Sequence, residues 1–459
     1  MTIALEIAKR VNALKYEDFP KEAVEWAKVA IADTVGVTLA GSVEQTAQIP
    51  LRVLGAGAVA GPSLIWGNTA RTRPLDAALI NGVAAHALDF DDCNDDLGGH
   101  PSAPMVPGMV ALAEEIGVSG RDFVEAFIAG YETECRIARG VHLHHYLKGW
   151  HPTATLGTFG ATAACGRLLK LSDAQLATAL ALAVSLTSGV KANFGTMTKP
   201  LHVGLTNRNG LFAALMAKEG FTASAEAFEH PQGFFEVFNG KDTYDAGKVL
   251  ADWANPLQIL APGVAIKQYP SCAGTHSAAD AVIALRGEHG IKADDVARID
   301  SQTHYTRYKH TNRADPQSPL DAKFSVQYVM ARGLLDGQLT FDDFEGEAFN
   351  DSKVRAVMNK IDAREHANDD ERYSVDIKMT LKDGRVLEKH LERAKGRGPS
   401  VALSPAELKT KFVNCATRVM SGEQAEALHG QCRALETLGD VRDLSRLLEA
   451  APRKAHAAE

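Results

Sequence analysis

Five aspartates (Asp89, Asp91, Asp92, Asp95 and Asp96) fall within eight residues, and the segment that carries them lies between two apolar runs. From His86 to Pro104 the chain reads H-A-L-D-F-D-D-C-N-D-D-L-G-G-H-P-S-A-P, with Leu75–Leu88 before the acids and Met105–Ile116 after them. Unpartnered carboxylates are expensive to bury. A fold that packs both apolar runs must therefore either leave the acids in water, as a loop capping the next helix, or partner them. In the second case the cost is tolerated because the segment is a site, with His86 before the acids and His100 after them. Both readings stand on this stretch alone.

The surroundings read as helices. Ala23, Ala27, Ala30, Ile31, Val35 and Leu39 recur at mostly three-to-four spacing, and Gly41 follows as a C-cap. Similar patterns predict helices over Ala77–Leu88, Ala103–Ile116, Asp122–Gly140 with Ser119 at its start, and Gly210–Gly220. Thr153–Leu169 is rich in Gly and Ala, which lets helices approach closely and predicts a tightly packed central helix. Ser172 or Asp173 caps the next one. After Lys267 the pattern changes. Ala297–His304 and Tyr373–Thr380 alternate like strands, and Asp383-Gly384 predicts a two-residue hairpin turn of the primed type. Helical patterns return after the Gly-rich Lys395–Pro399. The expected fold is mainly α: a large helical domain built from both chain ends (1–266 and 398–459), with a smaller α+β domain (267–397) inserted.

Length agrees, since 459 residues exceed what one core usually holds. The net charge of −8 argues against nucleic acid and an anionic membrane surface as partners, but leaves an anionic small molecule open wherever cations cluster locally. Six scattered cysteines without a C-x-x-C pair point to free thiols and a cytoplasmic protein. No signal peptide is expected from the first ten residues, and the longest apolar run, Leu176–Val190, reads as a core helix.

Metal and nucleotide motifs fit poorly. Counting from Asp89 as an EF-hand, the fifth position is Cys93 and the required Gly at the sixth is Asn94. A Mg²⁺ site on Asp91 and Asp92 stays open. Gly55, Gly57 and Gly61 lack dinucleotide-loop spacing and a leading strand. His142, His144 and His145 read as an exposed loop. Three further motifs suit an anionic substrate. Gly149–Thr153 (G-W-H-P-T) places His151 at a helix start. Gly195–His202 (G-T-M-T-K-P-L-H), followed by Arg208, reads as a polar loop between apolar helices. There Lys199, His202 and Arg208 would form a cationic cradle for carboxylates. Lys267–His276 (K-Q-Y-P-S-C-A-G-T-H) lies at the expected domain junction, where small-molecule clefts tend to form.

Taken in order, these motifs resemble the MmgE/PrpD family. The residues that carry the likeness are His86–Asp92 with Gly99–Ser102, Gly149–Leu169, Thr196–Gly204, Lys267–Cys272 and Ala322–Tyr328. The family includes 2-methylcitrate dehydratase, cis-aconitate decarboxylase and iminodisuccinate epimerase. The resemblance implies an all-helical domain with an α+β lid, a homodimer, no metal or organic cofactor, and a small di- or tricarboxylate as substrate. It implies Asp89, His100, His151, Lys199 and Lys267 as catalytic residues, with Cys93, His202, Arg208 and Tyr328 holding substrate. Cys93 stands where decarboxylase-type members have Thr. All three reactions handle a proton or a developing charge at a carbon next to a carboxylate. Lys199 and Lys267 would stabilise that charge, and His100 and His151 would move the proton, with Asp89 orienting a histidine or acting as base. The expectation is a cofactor-independent dehydratase of the 2-methylcitrate type. The alternative is a dicarboxylate epimerase, and behind it stand a decarboxylase and a non-catalytic binding protein.

Overall fold

Seven helices frame the acidic segment, and local chemistry sets most of their limits. They are α1 (Lys21–Gly41), α2 (Pro74–His86), α3 (Val106–Ile116), α4 (Gly120–Val141), α5 (Gly157–Leu168), α6 (Asp173–Leu186) and α7 (Thr198–Lys218). Pro74 occupies the first position of α2, where its missing N–H costs nothing. Ser119 caps α4 by accepting from the Asp122 N–H, and Ser172 forms a capping box with Gln175 at α6. The expected helix over 153–169 breaks at Leu156, leaving a short turn, Pro152–Thr155, before α5.

The computed structural model describes residues 2–450. Of these, the residues up to Ile266 and from Ser404 onward form one compact unit, and Lys267–Leu403 form another. The protein is mainly α-helical. Among the described residues no helix is long and apolar enough to cross a membrane.

Glycines let α2 and α7 meet backbone to backbone. A Cβ on Gly204 would lie 2.5 Å from the Leu79 carbonyl oxygen, and one on Gly82 would lie 2.9 Å from the Gly204 Cα. Asn207 seals the same contact region: its side chain donates to the Ala103 carbonyl and accepts from the Gly108 N–H. α2 ends in His86 and α7 begins with Lys199 and His202, so the spacing of the two helices sets the site. Gly204→Ala is expected to cost about 3 kcal/mol, because a fixed carbonyl cannot yield to the added methyl. A thermal melt checks this, and an unchanged Tm would show that the helices can part without penalty.

The second unit holds a four-stranded sheet, β1 (Val296–His304), β2 (Ile361–His366), β3 (Val375–Leu381) and β4 (Val386–Leu391), in the order β2-β1-β3-β4. β1 and β2 are parallel, and the other pairs are antiparallel. Val375, Ile377, Met379 and Leu381 of β3 point into a core shared with α8 (Ala273–His289) and α9 (Val326–Asp336). The β3–β4 turn corrects the expectation of a two-residue primed turn. Leu381 pairs back to Arg385, leaving Lys382, Asp383 and Gly384 in the loop, and of these only Gly384 has positive φ, at 90°. A primed turn of the Asp-Gly kind needs positive φ at both positions.

The chain returns to the first unit with α10 (Pro405–Ala416), which opens on a capping box between Ser404 and Glu407 and packs on α1. Its Lys411 ammonium sits 2.7 Å from an Asp33 oxygen and donates to the Phe90 carbonyl at 2.9 Å, over the Phe90 ring. A residue near the C-terminus thus fastens the acidic segment.

Candidate active site

The acidic segment is buried and partnered. Asp89, Asp91 and Asp92 are all buried, and Asp95 and Asp96 are half-buried. The reading as a solvated loop is overturned. Asn94 organises the turn: its side-chain oxygen accepts from the Leu97 N–H, and its amide donates to the Gly263 carbonyl and the Tyr131 hydroxyl. Cys93 and Ala265 exchange backbone hydrogen bonds at 2.8 and 2.9 Å, pinning the segment to the end of the same unit.

Each acid has a different partner. Asp89 lies at the end of α2 with φ of 53°, in the left-handed region that non-glycine residues seldom adopt and that often marks a site. Its Oδ1 is 2.7 Å from the Lys199 ammonium and 3.6 Å from His100 Nε2. Asp91 lies between two imidazoles, with His86 Nδ1 at 2.8 Å and His100 Nδ1 at 3.1 Å. Burial pushes the Asp91 carboxyl up, but His100 and His86 together outweigh it and hold the group well below the usual carboxylate range. Asp92 accepts from the Ser102 hydroxyl at 2.6 Å and the Ser102 N–H at 3.2 Å, and burial pushes its carboxyl well above the usual range.

A second couple faces these groups. His151 Nδ1 is 3.2 Å from His202 Nδ1 on the first turns of α7. The His151 ring lies 5.7 Å from His86 and packs edge-on against Phe194. Burial, followed by the charges of His86, Lys199 and His202, drives His151 well below the ordinary imidazole value. Burial and then Lys199 lower His202 as well. Burial brings His86 down to about 4.

Of the residues expected from sequence, the structure brings together Asp89, Cys93, His100, His151, Lys199 and His202. The Cys93 sulfur lies 3.9 Å from His100 Nδ1. Gly195–His202 is not a loop throughout. From Thr198 it forms the start of α7, and Pro200 fits there because the first turn needs no N–H from it. This corrects the placing of Arg208. Nine residues beyond Lys199 on a helix, it falls roughly 180° round the axis and leaves the cationic cradle. His145 is also corrected. It is fully buried, with Nδ1 2.9 Å from the Asn239 side chain and Nε2 2.8 Å from the Thr155 hydroxyl, and is a satisfied core histidine. Lys267 and Tyr328 belong to the second unit. The Tyr328 hydroxyl donates to the Asp343 carbonyl and accepts from Arg332, so its polar functions are engaged in that core. Sequence reasoning named Asp89 as the residue that orients a histidine, whereas Asp91 takes that place. The missed signal was His86 five residues before Asp91, with the chain turning at Asp89 between them.

His86, Asp89, Asp91 and His100 present donor atoms all within 4.8 Å of one another, a set that could hold a divalent cation. The arrangement already satisfies that charge in another way: the Lys199 ammonium sits on Asp89, and Asp91 is engaged by two ring nitrogens. A metal would have to displace both.

Comparison with known proteins places the whole chain. The MmgE/PrpD N-terminal domain matches residues 5–246, and the MmgE/PrpD C-terminal domain matches 269–436. Human cis-aconitate decarboxylase is 30% identical over 98% of this chain and 95% of its own length. The mitochondrial 2-methylcitrate dehydratase of Yarrowia lipolytica is 25% identical over 84% of this chain and 78% of its own. The 2-methylcitrate dehydratase of Escherichia coli K12 is 24% identical over 77% of this chain and 75% of its own.

Proposed function

The chain belongs to the MmgE/PrpD family, and from that premise we propose that it is a cofactor-independent lyase of a small polycarboxylate, with dehydration of a 2-methylcitrate-like hydroxy acid as its reaction. One observation carries the choice of reaction. The site contains two separate imidazole couples, His86–Asp91–His100 and His151–His202. Loss of water needs one group to take the proton next to the carboxylate and another to protonate the departing hydroxyl. Lys199, an ammonium with three donors, spans Asp89 and a substrate carboxylate and stabilises the charge that develops beside it. Asp89, His100, His151 and Lys199 are the catalytic residues in this reading. Cys93 and His202 line the substrate, and the working form is a cytoplasmic homodimer.

A second reading, decarboxylation of cis-aconitate, is favoured by the 30% identity that spans nearly the full chain of the human enzyme. It needs only one proton, delivered to the carbon beside a remaining carboxylate that takes up the electron pair left by CO₂. The test is incubation with 2-methylcitrate and cis-aconitate in D₂O, followed by NMR. A new vinylic carbon with water lost supports dehydration, and deuterium incorporation with CO₂ release supports decarboxylation. Exchange at the α-carbon of a dicarboxylate such as iminodisuccinate, without either product, would replace both with epimerisation. No turnover of any of these acids would leave the fold as a binding protein.

A further inference from the structure

Asp91 lies beside the Asp89–Lys199 pair, with a carboxylate oxygen within 4.8 Å of one on Asp89, and is itself held between two imidazoles. It is fully buried and is a strong acceptor with no hydrogen of its own. Both carboxylate oxygens lie within 2.9 Å of His86 Nδ1. His100 Nδ1 meets Asp91 Oδ2 at 3.1 Å, the Asp91 carbonyl at 3.3 Å and the Cys93 sulfur at 3.9 Å. Oxygen acceptors therefore converge on this nitrogen, and the opposite nitrogen of the same ring points toward Asp89 and so toward Lys199. The two rings meet edge to face with centroids 4.6 Å apart, which fixes their planes. A ring nitrogen facing a carboxylate carries the proton, and that leaves the other nitrogen to do the chemistry.

We infer that Asp91 is a positioning residue: it keeps Nδ1 of His100 protonated, with His86 bracing the carboxylate from the other side, so that His100 works through Nε2 alone. This rests on the reading above that His100 moves the substrate's proton. The assignment of the ring protons does not depend on that reading. His86 fits the arrangement. Its Nε2 is buried with no hydrogen-bond partner among the described residues, so its proton belongs on Nδ1, where Asp91 accepts it. An N–H buried at Nε2 would leave an orphaned donor.

Histidine-selective ¹⁵N labelling tests the assignment on the full-length protein, with His100→Gln identifying the resonance. Long-range correlation spectra at pH 8 are expected to show Nδ1 of His100 protonated. In Asp91→Asn an amide can offer its N–H to one ring, and the His100 signal is expected to move to the other tautomer. Together with this change, kcat is expected to fall by about 10² to 10⁴, with KM changed less than threefold. A structural role alone would lower stability without moving the tautomer. If Asp91→Asn does not fold, His86→Gln keeps the test alive. Removing the brace is then expected to broaden or split the His100 signal. An unprotonated Nδ1 at His100 in the unmodified protein overturns the inference. So does Asp91→Asn that keeps kcat within threefold. A protein that turns over none of the tested acids but shows the expected tautomer defeats the lyase reading and leaves this geometry standing.

Discussion

Replacing Lys199 with methionine is expected to lower kcat/KM by about a thousandfold. The ammonium lies 2.7 Å from Asp89 Oδ1, and both side chains are buried. Removing a preorganised cation from where charge develops costs about 10² to 10³ in rate. Methionine also takes the ammonium from the buried Asp89 carboxylate, and breaking such a pair costs about 3–5 kcal/mol of stability. The two effects can be separated. Asp89→Asn in the Lys199→Met background removes the buried charge, so stability should recover while turnover stays low. Lys199→Met with activity within tenfold of the unmodified protein would remove Lys199 from the mechanism.

His151→Gln is expected to lower kcat by about 10² to 10⁴, the range for loss of a general acid or base. Glutamine can still hydrogen-bond His202, so the fold should survive and circular dichroism should be unchanged. The pH profile gives an independent check. An imidazole held well below its ordinary 6.5 is neutral through the neutral range. If neutral His151 is the active form, kcat/KM holds as pH falls past 6.5 and drops only as pH passes through the lowered value. An acid limb at 6.5 or above would show that the group controlling the rate is not this buried ring.

Much of the fold could be read from the sequence because its signals are local. Ser119, Ser172 and Ser404 start their helices through bonds to residues three positions on, and the alternation of β3 survives as a half-buried strand. The misjudged features depend on contacts distant in sequence. Lys199 and His202 read as loop residues because polar and glycine-flanked segments usually are loops. In the structure that stretch opens α7, which packs closely on α2 at Gly82 and Gly204. The burial of Asp91 could not be inferred from its acidic neighbours, since its partners are two imidazoles and burial shifts Asp92 in the opposite direction. The Asp383-Gly384 pair identified a hairpin but not its loop length, which register decides.

The clamp from Lys411 onto Asp33 and the Phe90 carbonyl has a consequence for synthesis. Asp33 and the whole acidic segment leave the ribosome more than 300 residues before their cation is made. At about 5–20 residues per second, roughly 20–75 s pass between the synthesis of Asp33 and that of Lys411. The nascent helical unit therefore gains this clamp on its own active-site segment only when translation is nearly over. A chain stopped between Lys267 and α10 carries every catalytic residue named here, yet lacks the cation that fastens the acidic segment.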